Sequence, residues 1–355
     1  MSQKLTVCVL FGGQSSEHEI SRISATSIIK NLNKEKYDIV IIGITKAGKW
    51  LMYRGPVDKI ATGEWENNHV APAMIAPDAS INGLIILNEE IATKAKIDVV
   101  FPVLHGLFGE DGTIQGLLEL AHIPYVGPGV LSSALCMDKG YAKVLFQQTR
   151  IPQADWLIVM SNELEDMAQS VKKIEDRFSY PLFIKPCNAG SSMGITKAHS
   201  RSEAEEGLKL AAEQDEKILI EEFIPGREIE CAVLGNDCPN VSALGEIVPG
   251  REFYDYQAKY KDEGSTLIIP ASLPEDTVSK IKEYTIQAFK ALGCKGLARV
   301  DFFVHKESGE IYINEINTMP GFTSISMYPK LWEEAGVSYA ELLDALINLA
   351  LEGNR

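Results

Sequence analysis

The sequence predicts an α/β protein of several domains, in which an N-terminal parallel sheet is followed by two α+β units. The chain has 355 residues, which is long for one hydrophobic core, so two or three domains are expected. Strand, helix and strand patterns with short connections near the N-terminus are typical of a parallel sheet covered by helices. Breaks rich in Pro and Gly at 124–129 and 225–226 then divide the chain. We therefore place the domains at 1–127, 128–223 and 224–355.

The predicted elements follow these divisions. In the first unit, strand patterns cover 5–11, 37–44 and 97–104, helical patterns cover 20–32 and 113–121, and the less regular stretch 50–96 has room for a small hairpin. In the central unit, helical patterns cover 131–149 and 202–212, and strand patterns cover 180–185, 195–198 and 217–223. In the last unit, strands are predicted at 228–234, 241–249, 265–270, 296–303 and 310–316, and helices at 275–292 and 338–352.

The charge and the cysteine content limit the partners and the compartment. Lys and Arg number 34 against 49 Asp and Glu, a formal net charge of −15, which argues against nucleic acid or an anionic membrane as the main partner. ATP stays possible, because a few local cations hold phosphates within an acidic protein. The six cysteines form no CxxC pair, so free, buried thiols are expected. Without a signal peptide or an apolar stretch of about 18 residues, a cytoplasmic protein is predicted.

The most informative motif is a pair of short strands in the last third of the chain. Alternation of apolar and polar residues places Arg299 and Asp301 on one face of the first strand, and Glu315 and Asn317 on one face of the second. Paired as a hairpin, the strands gather two carboxylates and a carboxamide beside one guanidinium. Such oxygen ligands suit Mg²⁺ that is shared with nucleotide phosphates. The alternative is a pair of surface strands with solvated charges.

Two segments of the central unit are candidates for nucleotide binding. The loop 186–194 is rich in Gly and Ser, so its backbone N–H groups can approach an anion beside the charge of Lys185. The alternative is a hairpin turn without a ligand. Residues 218–224 would form a strand edge along which an adenine lies, with Glu228 accepting from ribose hydroxyls. The alternative there is an interdomain connector.

Two loops rich in glycine follow strands of the predicted N-terminal sheet. Glu17 lies in the loop 12–19, and His105 begins the loop 105–112. Ligands of such sheets usually bind at the carboxyl edge of the strands, where both loops are predicted. The GxGxxG pattern is absent, and an acidic pair would repel a pyrophosphate, so Glu17 is expected to meet a cation such as a substrate ammonium. A lone His is more often structural, but two polar loops at one edge favour a site.

A further candidate is the stretch 251–264, which is polar and aromatic and lacks clear periodicity. It contains Tyr254, Tyr256, Lys259 and Tyr260. A loop of this length inside a compact domain is usually either functional or disordered. Its aromatic residues favour a lid that closes over a site and excludes water.

These motifs together resemble one family. In chain order they read Gly-Gly-x-Ser-x-Glu-His-Glu, His-Gly-x-x-Gly-Glu-Asp-Gly, Lys-Pro followed by Gly-Ser-Ser-x-Gly, Tyr-Asp-Tyr-x-Ala-Lys-Tyr, Arg-Val-Asp-Phe-Phe and Asn-Glu-Ile-Asn-Thr-x-Pro-Gly-Phe-Thr. This series closely resembles the D-alanine–D-alanine ligases of the ATP-grasp superfamily, and the match extends from residue 11 to residue 332.

The resemblance implies a three-domain ATP-grasp fold with ATP held between the second and third domains. It implies two Mg²⁺ ions, for which Mn²⁺ can substitute, and a homodimer that serves peptidoglycan precursor synthesis. The carboxylate of one D-alanine would attack the γ-phosphate of ATP and give D-alanyl phosphate. The amine of a second D-alanine would then displace phosphate through a tetrahedral intermediate. Phosphorylation gives a poor acyl donor a leaving group, so the protein supplies mainly positioning and charge stabilisation.

The resemblance also implies roles for substrate-binding residues. Glu17 would hold the ammonium of the first D-alanine in a hydrogen-bonded network with Ser191 and Tyr260. His105 would support the same substrate, and Ser326 would meet the carboxylate of the second D-alanine.

A second group of implied roles concerns phosphate, metal and transition-state charge. Arg299 and the backbone N–H of Gly321 would stabilise the oxyanion where charge develops. Asp301, Glu315 and Asn317 would be the Mg²⁺ ligands. Contacts with the nucleotide are implied for Lys139, Lys185, Ser191, Ser192, Glu221, Phe223, Ile224, Glu228, Lys259, Phe303 and Asn314.

The second substrate is less well determined by these motifs, since related ligases make D-alanyl-D-serine or D-alanyl-D-lactate. Met327 is apolar where serine-preferring relatives often carry Arg, and the 256–260 segment is like that of the D-alanine enzymes. Ile325 departs from family members that carry His there. A D-alanine–D-serine or D-lactate ligase is therefore the close alternative. A non-catalytic nucleotide sensor is the alternative of another class. The presence of Glu17, Arg299, Glu315 and Asn317 together argues against it, since sensing ATP does not require an amino-acid site.

Overall fold

The computed structural model describes residues 4–88, 91–249 and 266–352. The strands are β1 (Leu5–Gly12), β2 (Tyr37–Ile44), β3 (Trp50–Tyr53), β4 (Val70–Ile75), β5 (Gly83–Asn88), β6 (Ile91–Lys96), β7 (Val99–Val103), β8 (Trp156–Met160), β9 (Leu182–Pro186), β10 (Thr196–Ala198), β11 (Lys217–Glu222), β12 (Gly226–Gly235), β13 (Asn240–Val248), β14 (Thr266–Ile268), β15 (Gly296–His305) and β16 (Ile311–Asn317). The helices are α1 (His18–Asn31), α2 (Asp58–Thr62), α3 (Thr113–Leu120), α4 (Val130–Met137), α5 (Lys139–Gln148), α6 (Met167–Glu175), α7 (Arg201–Ala212), α8 (Glu275–Ala291), α9 (Met327–Glu334) and α10 (Tyr339–Glu352).

The first sheet has seven strands in the order β6-β5-β4-β3-β2-β1-β7. β1 pairs in parallel with both β2 and β7, and its run from Val7 to Phe11 is fully buried, as expected for a strand covered on both faces. α1 packs against Val7 and Val9, and α3 packs against Cys8 and Leu10. The predicted parallel core is therefore confirmed. The stretch 50–96 is richer than the expected hairpin, because it holds four antiparallel strands, β3 to β6.

The second sheet has four strands in the order β10-β9-β11-β8. α6 and α7 cover one face, where Ile184 and Ile220 are fully buried. Side chains alternate along a strand, so the neighbouring positions Lys185 and Glu221 point from the opposite face. The helical pattern predicted at 131–149 is two helices, since Asp138 ends α4 and caps α5 by accepting from the backbone N–H of Tyr141 at 3.1 Å.

The third sheet has five strands in the order β14-β13-β12-β15-β16. α8 covers one face of it, with Phe289 packed against Val300 and Phe302 in a buried cluster. Arg299 and Asp301 alternate with these apolar residues and so belong to the other face. That polar face and the polar face of the second sheet approach each other, because Lys185 Nζ lies 3.5 Å from Asn314 Oδ1 of β16.

The last two helices connect the third sheet to the first. Tyr328 of α9 and Leu343 of α10 share a buried cluster with Val9 of β1, and the hydroxyl of Tyr37 donates to Asp344 at 2.8 Å. These contacts attach the last two helices to the first sheet. All six cysteines are free, as predicted; five of them are buried, whereas Cys238 is exposed. Among the described residues no helix is long and apolar enough to cross a membrane.

Candidate active site

A cavity of about 680 Å³ lies where the loops of the three units meet. Its wall combines the loops after β1 and β7, the start of α5, the loop between β9 and β10, and the polar ends of β15 and β16. Of the residues that the sequence predicts for the site, the cavity is lined by Glu17, His105, Lys139, Ser191, Ser192, Arg299, Glu315, Asn317, Gly321 and Ser326. The fold therefore brings residues from the whole length of the chain to one place.

Glu17 connects the first unit to the loop 186–194, which is the phosphate loop predicted from the sequence. Its side chain is almost fully buried and accepts a hydrogen bond from the hydroxyl of Ser191, as the resemblance implies. Gly106 and Gly190 make room for this carboxylate, because a Cβ on either would come within 2.6 Å and 2.5 Å of Glu17 Oε2. Tyr260, the third predicted member of this network, lies outside the described residues, as do Tyr254, Tyr256, Lys259 and the remainder of 250–265.

His105 lies in the cavity wall and is buried. Its Nδ1 lies 3.0 Å from the carbonyl oxygen of Met319, which can only accept, so Nδ1 carries the proton. The other nitrogen, Nε2, lies 3.2 Å from the hydroxyl of Ser24 and accepts from it. Burial lowers the pKa of His105, although Glu17 and the Met319 carbonyl oppose the shift. A neutral imidazole therefore links the first sheet to the loop after β16.

The strand pair has the predicted faces. β15 and β16 are antiparallel, with Arg299 opposite Asn317 and Asp301 opposite Glu315. Arg299 donates from two nitrogens to the two oxygens of Asp301, at 2.7 Å each. Its Nε also lies 3.1 Å from Glu230 of β12. Burial disfavours the charged guanidinium, but these two carboxylates outweigh it and raise the pKa of Arg299 well above its ordinary value.

The candidate metal ligands supply oxygen atoms of the kind that Mg²⁺ prefers. Glu315 and Asn317 line the cavity, and Glu315 Oε2 lies 3.8 Å from Lys139 Nζ. Asp301 is 2 % exposed and bound by Arg299, but a carboxylate has about four lone-pair positions and can accept further partners. Within the described ranges no three His, Cys, Asp or Glu side chains form a metal cluster by themselves, so Asn317 is needed to complete the set. The donor chemistry fits the predicted group.

The phosphate loop is anchored at one end and strained in the middle. Asn188 donates to Asp215 from its backbone N–H at 2.7 Å and from its side chain at 2.9 Å. Ser191 and Ser192 have φ of 48° and 59°, a region that non-glycine residues rarely occupy and that clusters at functional sites. Lys139 Nζ donates to the carbonyl oxygen of Ala189 at 2.8 Å. These contacts hold the loop above the cavity beside one cation.

Behind this loop lies a buried group of two lysines and one glutamate. Glu221 Oε1 is 2.5 Å from Lys143 Nζ, and Glu221 Oε2 is 2.5 Å from Lys185 Nζ. Burial by itself raises the pKa of Glu221, but the two ammonium groups outweigh it and lower the pKa to about 2. Glu221 is therefore ionised. The sequence interpretation missed Lys143, since a single Lys within a helical pattern carries no signal of its own.

The predicted adenosine residues Glu221, Phe223, Ile224 and Glu228 do not lie in the wall of the cavity. The prediction of a strand edge at 218–224 is wrong, because β11 pairs with β8 on one side and β9 on the other. Phe223 follows the strand and packs on Phe183, with ring centroids 6.2 Å apart. Ile224 follows Phe223 in the chain. In the third sheet, Glu228 of β12 pairs with Phe303 of β15, and Asn314 lies in β16.

The end of the cavity that carries Ser326 is formed by the start of α9. The Ser326 hydroxyl accepts from the backbone N–H of Thr323 at 3.0 Å and lies 2.8 Å from the Thr323 hydroxyl. Met327 is buried and Ile325 is 60 % exposed, and both line the cavity together with Gly321. An apolar wall thus stands next to a hydroxyl and a helix N-terminus, a combination that suits a small amino acid with a carboxylate.

Two carboxylates of the site were also missed as individual residues. Glu230 holds Arg299 from the strand next to β15, as described above. Glu110 lies in the predicted loop 105–112, lines the cavity and accepts from the backbone N–H of Gly106 at 2.8 Å. Burial raises the pKa of Glu110 well above its ordinary value, and the nearby charge of Glu17 adds to the shift.

Glu110→Gln is expected to stabilise the protein increasingly as pH rises. Above pH 4.5 the unfolded chain releases the Glu110 proton while the folded protein keeps it, so wild-type stability falls with pH until the raised pKa is passed. The Gln variant lacks this loss, and we expect a Tm gain at pH 8 of at least about 2 °C relative to pH 4.5. Thermal unfolding of both proteins across this range measures it, and an equal Tm difference at both ends would contradict the assignment.

The chain has the architecture of an ATP-grasp enzyme. Its N-terminal sheet is covered by helices, and two α+β units face each other. The cavity between them carries the phosphate loop and the acidic strand pair. Comparison with known sequences then assigns the family. The family model described as D-ala D-ala ligase N-terminus matches residues 6–128, and that described as D-ala D-ala ligase C-terminus matches residues 145–348. The chain belongs to the D-alanine–D-alanine ligase family.

Individual relatives agree with this assignment. The chain is 60% identical to the D-alanine–D-alanine ligase of Acetivibrio thermocellus, over 99% of this chain and 97% of the relative. It is 56% identical to that of Ruminiclostridium cellulolyticum, over 99% and 96%. Among solved structures, the VanG D-Ala:D-Ser ligase of Enterococcus faecalis is 42% identical with a TM-score of 0.89, over 98% and 100%. The ATP complex of the Bacillus anthracis D-alanine–D-alanine ligase is 30% identical with a TM-score of 0.72, over 99% of each chain.

Proposed function

We propose that the protein uses ATP to join two D-alanines into D-alanyl-D-alanine, with release of ADP and phosphate, for peptidoglycan precursor synthesis. The observation that carries this proposal is the convergence of Glu17, Ser191, Arg299 and Glu315 on one cavity. An ammonium-binding carboxylate, an anion-binding loop and an oxyanion-stabilising cation are the parts that activation and transfer of an amino acid require. The close relatives named D-alanine–D-alanine ligase support the choice of substrate.

In this proposal the chain positions the first D-alanine and the nucleotide so that carboxylate and γ-phosphate meet. Glu17 receives the substrate ammonium, and its bond to Ser191 couples that event to the phosphate loop. Lys139 and Lys185 contact phosphate oxygens, while Ser191 and Ser192 present backbone N–H groups to them. The family resemblance assigns Tyr260 and Lys259 to a lid, and both lie outside the described residues.

The amine of the second D-alanine then attacks the acyl phosphate. Arg299 and the backbone N–H of Gly321 stabilise the negative oxygen of the tetrahedral intermediate. Ser326 receives the carboxylate of the second substrate, and phosphate leaves with the electrons of the broken C–O bond. Mg²⁺ held by Asp301, Glu315 and Asn317 supplies charge neutralisation at the phosphates when it is bound, and Mn²⁺ has the same ligand preference.

The alternative of a D-alanine–D-serine ligase rests on the similarity to the VanG D-Ala:D-Ser ligase. A methyl and a hydroxymethyl group differ little in size, and one side chain can supply discrimination of about 1–3 kcal/mol. Buried Met327 favours D-alanine, because it offers no partner to a substrate hydroxyl. We place D-alanine first on that ground.

Phosphate release with ATP and Mg²⁺ tests the proposal. D-alanine, L-alanine and no amino acid are supplied in turn, and the product mass is recorded. We expect release with D-alanine alone and the mass of D-alanyl-D-alanine. Competition among D-alanine, D-serine and D-lactate as second substrate is expected to give mainly the D-alanyl product. A D-seryl product in excess would favour the alternative, and ATP binding without D-alanine-dependent release would favour a nucleotide sensor.

Domain limits and assembly form the remaining part of the proposal. We infer domains at 1–127, 128–223 and 224–355. The match to the N-terminal family model ends at residue 128, and one of the three sheets lies in each range. A homodimer in the cytoplasm follows from the family resemblance. Sedimentation of the purified protein measures its oligomeric state.

A further inference from the structure

The pairing of Lys143 with Glu221 has a consequence for the nucleotide site. We propose that Lys143 is a positioning residue that neutralises Glu221 and so leaves the charge of Lys185 available for the phosphates of ATP. The inference rests on the proposed function, because it takes Lys185 as a phosphate ligand. Neither lysine belongs to the cavity wall, but Lys143 is the more deeply buried: its side chain is 2 % exposed, against 11 % for Lys185.

The buried group of Lys143, Lys185 and Glu221 has more positive than negative charges. Two ammonium groups share one carboxylate, so the group carries one excess positive charge. Glu221 and Lys185 alone would form a neutral pair, and a neutral pair attracts a phosphate much less than a cation does. Burial lowers the pKa of Lys143, and its contact with Glu221 opposes that shift. The charge of Lys185 lowers the pKa of Lys143 further, so the excess charge is inferred from the geometry, in which two ammonium groups contact one carboxylate.

The two lysines lie on different sides of Glu221. Lys143 and Lys185 approach different oxygens of the same carboxylate, so each ammonium occupies one side of Glu221. The Lys185 Nζ is the one that extends toward the third sheet, where it lies 3.5 Å from Asn314 Oδ1. Asn314 directly precedes Glu315, which lines the cavity. If Lys143 is absent, both oxygens of Glu221 are free to bind Lys185 and draw its ammonium away from that gap.

The helix α5, which carries Lys143, is fixed relative to β16 by hydrogen bonds. The carbonyl oxygen of Lys143 accepts from the side chain of Gln153 at 2.9 Å. The residue before Gln153 accepts from the backbone N–H of Ile313 at 2.8 Å, next to Asn314. Lys143 is thus held by backbone contacts that connect α5 to β16, and its ammonium has a fixed position relative to both sheets.

Binding of inorganic tripolyphosphate and of ATP, with Mg²⁺ and without amino acid, tests the inference by calorimetry. Tripolyphosphate lacks the adenosine, so it reports on the phosphate contacts alone. In Lys143→Met the affinity for both ligands is expected to fall about tenfold, as for the loss of one charge-assisted contact. Lys172→Met removes an exposed lysine of a surface pair, changes the net charge equally, and is expected to bind as wild type does.

The double variant Lys143→Met/Glu221→Gln separates charge balance from packing. It frees the charge of Lys185 again, so tripolyphosphate affinity is expected to recover to within about threefold of wild type, a non-additive result. Lost packing around Lys143 would not be repaired by this second change. Tripolyphosphate binding by Lys143→Met equal to wild type, or by the double variant as weak as by Lys143→Met, would overturn the inference. Wild-type protein that binds neither ligand would instead overturn the proposed nucleotide site as well.

Discussion

Glu315→Gln is expected to lower kcat for D-alanine-dependent phosphate release about a thousandfold while the protein remains folded. The change keeps the size of the side chain and removes one negative charge at the place where the metal and the transferring phosphate are proposed to meet. Glu315 lies in the cavity wall, and its 3.8 Å contact with Lys139 is a loose one at a partly exposed position. The charge of Glu315 also acts on Arg299, so thermal unfolding is recorded beside kcat to check that the variant folds.

The matched control for this variant is Glu307→Gln. Glu307 is exposed in the turn between β15 and β16, so the substitution makes the same chemical change on the same hairpin, away from the cavity. We expect its kcat to equal that of wild type. Rates of phosphate release at saturating ATP and D-alanine, together with thermal unfolding, decide the matter. A Glu315→Gln enzyme that keeps more than about a tenth of the wild-type kcat would remove Glu315 from the proposed metal site.

Replacement of Arg299 is expected to affect both catalysis and stability, and two variants separate the effects. Arg299→Lys keeps a positive charge but loses the two-point contact with Asp301, so kcat is expected to fall about 10²- to 10³-fold with a modest loss of stability. Arg299→Met also leaves Asp301 and Glu230, each 2 % exposed, without their cation. Breaking a buried ion pair in this way costs about 3–5 kcal/mol of unfolding free energy.

Arg227→Lys provides the comparison for Arg299→Lys. Arg227 makes a similar two-point contact with Glu246, at 2.7 and 2.6 Å, within the same sheet, but it does not line the cavity. Its change to Lys is expected to leave kcat unaltered. Urea unfolding gives the free energies and steady-state assays give kcat. If Arg299→Lys and Arg227→Lys have the same kcat, or if Arg299→Met is as stable as wild type, the proposed role of Arg299 fails.

The strand pair near the C-terminus shows how far local sequence pattern reaches. Alternation alone placed Arg299 with Asp301 and Glu315 with Asn317, and the observed register sets the two pairs opposite each other. The period of a strand is two residues, so the face of each side chain follows directly from its position. The loops that carry Glu17 and His105 were likewise predicted at one sheet edge. In the structure the strands before them, β1 and β7, are parallel neighbours.

Where the pattern was weak, the prediction was incomplete. Residues 50–96 gave no strong periodicity, yet they add four antiparallel strands to the first sheet. The helical pattern at 131–149 did not predict the break at Asp138, whose side chain caps α5. Such edges and caps depend on which neighbours a segment finds in the folded chain.

What the sequence determined by itself is the fold class, the family and the faces of the strands and loops that carry the site, because motif order and side-chain alternation are local properties. The tertiary structure decided which charges meet. Lys143 and Glu221 are 78 residues apart and Glu230 and Arg299 are 69 apart, as their numbers show. No local pattern records such a pairing, because it arises when separate elements pack and bury both charges together. These contacts set the charge of the site.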